Sequence, residues 1–126
     1  MKRGIGIVLG VALFALPALA HAQVSIAPDA CTVVAADCTT AVSITPHSTD
    51  FELQTDGTLE ASCHGVLPPG SVLPQGHGAT HCTNLTCSVT TDSGVVSGTG
   101  FEVITKKGRV NLVCEVPPVP APTPTP

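Results

Sequence analysis

Phe51-Glu52-Leu53-Gln54-Thr55-Asp56-Gly57-Thr58-Leu59-Glu60-Ala61-Ser62-Cys63 decides how this chain folds. Apolar and polar residues alternate on both sides of Asp56-Gly57, a dipeptide that signals a tight hairpin turn between two strands. Working outward, the same design recurs from Phe101 to Val116. There Val110, Leu112, Cys114 and Val116 share one phase, while Arg109, Asn111 and Glu115 take the other. Lys107-Gly108 separates that run from Phe101 to Thr105 and predicts a second hairpin. Leu85, Cys87 and Val89 form another alternating run, and Val24 to Ala27, Thr32 to Ala35 and Ala41 to Thr45 are shorter strand candidates. No window after residue 22 carries a helical stripe. Abundant Thr, Val, Ser and Gly suit strands and turns. The expected fold is therefore all-β, a small disulfide-bonded antiparallel β-sandwich of about seven short strands.

The two hairpins resemble each other. Phe51 to Thr55 matches Phe101 to Thr105, and Leu59-x-Ala61-x-Cys63 matches Val110-x-Leu112-x-Cys114. Cys31 to Cys82 and Cys63 to Cys114 are the same distance along the chain, 51 residues. This pattern predicts tandem half-repeats, 31–63 and 82–114, within one domain spanning 23–116. In this alignment Glu52 and Glu102 are equivalent and fall on the outward phase, and both phenylalanines face inward. The architecture resembles that of immunoglobulin-like domains. It lacks their Trp between paired cysteines, so the resemblance implies no function.

The chain begins as an exported protein does. Lys2 and Arg3 precede an uncharged apolar run from Ile5 to Leu19, and Ala20-His21-Ala22 is a small-x-small processing site. A signal peptide over 1–22, cleaved after Ala22, is expected, with a secreted or periplasmic product. The apolar run is shorter than the ~20 residues a membrane span needs. The product has no other apolar segment long enough to cross a bilayer. It keeps three basic residues (Lys106, Lys107, Arg109) against nine acids, a formal charge of −6. That sign disfavours nucleic acid and anionic lipid as partners.

All six cysteines follow the processing site, as expected of disulfides in an oxidising compartment. Each half holds three, so complete pairing requires a bridge between the halves. The symmetric solution is Cys63–Cys114, with local pairs Cys31–Cys38 and Cys82–Cys87. A rival joins Cys63 to Cys82 and Cys87 to Cys114.

The segment from His64 to His81 holds three prolines, four glycines and three histidines, and reads as a long irregular loop between Cys63 and Cys82. Imidazole is a common ligand, so His64, His77 and His81 are the candidates for a Zn²⁺ or Cu²⁺ site if the loop folds back on itself. Solvated loop histidines are the simpler alternative, with no cofactor. Ser71 and Ser93 lie near glycines, but neither sits in a nucleophile elbow. Paired carboxylates, phosphate-cradling loops and aromatic sugar platforms are missing as well. Asn84-Leu85-Thr86 fits a glycosylation sequon. Residues 117–126 form a proline-rich tail of extended polyproline II character, suited to a spacer or a peptide ligand. The expected function is a secreted, non-catalytic binding or structural module with an extracellular or cell-surface partner. An extracytoplasmic metal-binding protein comes second, and a secreted hydrolase or inhibitor third.

Overall fold

The computed structural model describes residues 22–118, so all but Ala22 of the expected signal peptide and most of the proline-rich tail lie outside the described residues. Eight strands follow one another: β1 Val24–Ala27, β2 Ala30–Val34, β3 Ala41–Ile44, β4 Ser48–Leu53, β5 Leu59–Val66, β6 Thr80–Thr91, β7 Gly94–Ile104 and β8 Arg109–Val116. No helix occurs among the described residues. The protein is all-β, as its alternation predicts.

The strands form one sheet in the order β3-β2-β1-β6-β7-β8-β5-β4. This differs from a wholly antiparallel arrangement, because β1 runs parallel to β6, with Val24 opposite Cys87 and Ile26 opposite Val89. Four intervening strands separate β1 from β6 in the chain, so no hairpin forces them to oppose. The sheet also curls strongly, although its end strands do not pair with each other. Its two edge strands, β3 and β4, are joined only by Thr45-Pro46-His47. Three residues reach at most ~11 Å, whereas a flat eight-stranded sheet would be ~34 Å wide. The curl brings β2 over β5, where Cys31 and Cys63 are bridged with Cα atoms 6.7 Å apart.

The interior of the curl is the core. Val24, Ile26, Val33, Leu85, Val89, Ile104 and Leu112 are all buried there, with the small side chains of Ala61 and Cys63 beside them. The strand phases on β5, β6 and β8 are those the alternation predicts.

The disulfides are Cys31–Cys63, Cys38–Cys82 and Cys87–Cys114, and no cysteine is free. This corrects the expected Cys63–Cys114, Cys31–Cys38 and Cys82–Cys87. Cys63 pairs with Leu112 across β5 and β8, while Cys114 pairs with Ala61, so the two cysteines are diagonal neighbours. Diagonal positions lie ~7–8 Å apart, beyond comfortable disulfide reach. Cys82 and Cys87 lie along a single extended strand, which separates them by ~15 Å. Most of β2 similarly lies between Cys31 and Cys38. Of the rival pairing, Cys87–Cys114 is present. Cys38–Cys82 alone joins residues 31–63 to 82–114.

The Cys87–Cys114 bridge passes over β7, which lies between its two strands. Gly100 makes the crossing possible: a Cβ there would stand 2.6 Å from the Val113 carbonyl oxygen and 3.2 Å from the Cys87 Sγ.

Candidate functional site

The outer face of the sheet carries the functional candidates. The register sets one row across four strands: His64 on β5 opposite Asn111 on β8, Asn111 opposite Val103 on β7, and Val103 opposite His81 on β6. His64 and His81 therefore lie three strand spacings apart, ~14 Å. His77 sits elsewhere, in the connection between β5 and β6. The structure does not bring the three expected metal ligands together, and no group of three or more His, Cys, Asp or Glu suited to a metal ion occurs among the described residues. The irregular segment is also shorter than its composition suggests. His64 lies within β5 and His81 within β6, leaving 67–79 as the loop. It is held down by buried Leu67, by Leu67 N–H donating to the Gly108 carbonyl at 2.8 Å, and by Ala36 N–H donating to the Val72 carbonyl at 3.2 Å.

Two of the expected residues do line concave sites. A cleft of about 480 Å³ opens on the outer face, where His47, His64, Val66, Val103, Arg109 and Asn111 surround it. His47 is placed by its own N–H, which donates to the His64 carbonyl at 2.7 Å. Arg109 is placed by the β7–β8 turn, where its N–H donates to the Thr105 hydroxyl at 3.1 Å and Thr105 N–H donates to the Arg109 carbonyl at 2.9 Å. Asn111 lines the cleft, and its Oδ1 is buried without a hydrogen-bond partner. A second hollow of about 360 Å³ adjoins the first, sharing Thr105 and Arg109, and adds His77, Lys106 and Lys107. No Asp or Glu lines either hollow.

Acidic residues collect at the opposite end of the sheet. Glu52 faces Glu60, and Glu60 faces Glu115, in one outward row of β4, β5 and β8. Asp56, Glu60 and Glu115 line a hollow there, and Asp92 lies in the β6–β7 turn at the same end. The molecule is thus electrically bipolar along its strands. Asp37 is an exception near the basic end. Its carboxyl is held down to about 2, first by the Thr40 hydroxyl at 2.6 Å, then by the Thr40 and Thr39 N–H groups. That network fixes the turn carrying Cys38, whose φ is 60°, for its bridge to Cys82.

Glu102 overturns two expectations. It faces the interior, not solvent, and is fully buried, while Phe101 points outward and is 42% exposed. Its Oε1 accepts a hydrogen bond from Val34 N–H at 3.0 Å. Val34 has no partner in the register of β1, so the carboxylate satisfies a donor the sheet leaves open. The second oxygen is buried and unpaired. Burial pushes the Glu102 carboxyl up to about 7, against the opposing pull of the Val34 N–H.

The sequon residue Asn84 is exposed at a bulge in β6, at φ 57°. No helix among the described residues is long and apolar enough to cross a membrane. Comparison with protein-family models, curated proteins and solved structures finds no match for this chain.

Proposed function

We propose that this chain is an exported, non-catalytic binding module whose binding site is the cleft between His47, His64, Arg109 and Asn111. The observation that carries the reading is the site's construction. A concavity of small-ligand size lies on the outer surface of β5, β8 and β7, strands cross-linked through Cys63 and Cys114 to the rest of the sheet. Such a frame presents side chains with little ordering cost on binding. The cleft lining holds no Ser, Cys, Asp or Glu, and its one hydroxyl, on Thr105, accepts from the Arg109 N–H in the turn, which favours binding over hydrolysis. Three disulfides are consistent with an oxidising compartment outside the cytoplasm. In this reading residues 1–22 are the export signal, 23–116 the binding domain and 117–126 a spacer.

The test is an amide-resolved NMR titration of the oxidised chain with a fragment set containing neutral, cationic and anionic members. Shifts should cluster on Val66, Val103 and Arg109 to Asn111. Fragments that shift only amides elsewhere, or none at all, would refute the site.

A further inference from the structure

We propose that the cleft takes a small organic anion, a carboxylate with a short apolar body. This inference rests on the cleft being the binding site and adds the class of its ligand.

Three observations converge. The first is the distribution of charge. Among the described residues the only lysines and arginines are Lys106, Lys107 and Arg109, and all three line the two adjoining hollows. The chain carries nine acids, yet none lines either hollow. A protein of net negative charge thus concentrates its positive potential in one concave place. Low-dielectric walls focus such a field and raise the local concentration of anions.

The second observation is the chemistry of the polar groups. Arg109 offers donors only, in a planar fork that matches a carboxylate. Asn111 also lines the cleft, and its side-chain amide carries two N–H donors beside an Oδ1 that is buried without a partner. His47 and His64 each bring a ring N–H beside a second ring nitrogen. A wall that combines the Arg109 fork with these donors and holds no carboxylate suits a ligand group that accepts hydrogen bonds.

The third is the apolar remainder. Val66 and Val103 face the same cleft, and Val66 is 41% exposed. They give an alkyl chain a surface to cover, which inorganic phosphate or sulfate would not use. The adjoining Lys106 and Lys107 steer the anion in, and Arg109, as exposed as they are, holds it by its planar fork.

The experiment uses the oxidised chain at pH 7 and low ionic strength, titrated with hexanoate, 1-hexanol, hexylammonium and inorganic phosphate, and followed by NMR at Val66, Val103 and Asn111. Hexanoate should bind at least tenfold more tightly than hexanol or phosphate, and hexylammonium should leave these amides unmoved. Arg109→Gln should weaken hexanoate about tenfold, leave hexanol unchanged and keep the melting temperature. Raising salt to 0.5 M should weaken hexanoate and spare hexanol. Equal binding of hexanoate and hexanol, or unchanged hexanoate binding in Arg109→Gln, would overturn the anion while leaving the cleft as a binding site. Failure of all four probes at these amides would overturn it too, and the broader fragment set then decides whether the cleft binds anything. Arg109→Lys is the second variant: a point charge without the fork should recover part of the loss, whereas no recovery combined with a lowered melting temperature would assign Arg109 a purely structural role.

Discussion

The β4–β5 and β7–β8 hairpins have the same turn and opposite fates. In one, Gln54 N–H donates to the Thr58 carbonyl at 2.7 Å and Gly57 N–H to the Gln54 carbonyl at 3.0 Å; in the other, Thr105 and Gly108 repeat both bonds at 2.9 Å. Gly57 and Gly108 adopt φ of 94° and 84°, the left-handed region that favours glycine. Position by position the turn equates Leu53 with Ile104, Phe51 with Glu102 and Thr49 with Gly100, because each pair faces equivalent residues on β5 and β8. Yet β4 is an edge strand and β7 lies near the middle of the sheet. Leu53 is 73% exposed and Ile104 is fully buried. One hairpin geometry gives a solvated rim or a core wall according to what lies on its far side.

The largest effect comes from removing that wall. Ile104→Ala should destabilise the protein by about 4 kcal/mol through lost burial and an unfilled cavity. Leu53→Ala, at the equivalent position, should change stability by less than about 0.5 kcal/mol. Urea unfolding of the oxidised proteins measures both. A Leu53→Ala cost approaching that of Ile104→Ala would mean that something covers β4 in solution.

The next contrast is between Gly100 and Thr49. Gly100→Ala drives a Cβ toward the Val113 carbonyl and the Cys87 sulfur and should cost about 3 kcal/mol by overpacking. Thr49 already carries a side chain, whose hydroxyl donates to the Pro28 carbonyl at 3.1 Å. Thr49→Ala should cost only about 1 kcal/mol, the worth of that bond. In a Cys87→Ala/Cys114→Ala background the Gly100→Ala penalty should shrink, since the covering sulfur is gone. An unchanged penalty would assign the whole clash to the β8 backbone.

Alternation around Asp56-Gly57 and Lys107-Gly108 was enough to read both hairpins and the inward phase of Leu112, Cys114 and Leu85. It was not enough for the partner strands. Matching Phe51 to Phe101 places one extra residue in the second turn, whereas the turns themselves are the same length. A slip of one residue exchanges the faces of a strand, so Phe101 and Glu102 were read the wrong way round. Counting back from the turn glycine along β8's clear phase would have placed Glu102 inward beside Ile104. Of the disulfides only Cys87–Cys114 was legible, as part of the rival pairing, and the other two were hidden for a different reason. Their pairing depends on the curl of the sheet and on the β1–β6 contact, both long-range and invisible to local pattern. The cleft was legible only in part: His64 stood out by type, while Arg109 and Asn111 looked like ordinary outward residues on a strand. Only the register reveals that they share its surface.

The last contrast sets Glu102 against exposed Phe51, its equivalent across the hairpins. An apolar residue lies outside and a carboxylate lies in the core, an inversion of the usual placement. The folded carboxyl titrates at about 7, above its ordinary 4.5, because burial penalises the charged form. Between these values the folded protein keeps a proton that the unfolded chain releases. Stability from this group is therefore full below about pH 4.5, falls as pH rises, and is lost above about 7. The shift is worth about 3 kcal/mol, and an amide at this site would forfeit about 1 of it through an unpaired buried N–H. Glu102→Gln should thus stabilise the protein by about 2 kcal/mol at pH 8 and destabilise it by about 1 kcal/mol at pH 4, read from denaturant midpoints across that range. Asp37 and Asp56, whose carboxyls are held below their usual range by Thr40 and Thr58 respectively, act in the opposite sense at acid pH and are common to both proteins, so they cancel. A difference that stays constant from pH 4 to pH 8 would mean that folding leaves the Glu102 carboxyl unshifted, so that it carries its charge in the core.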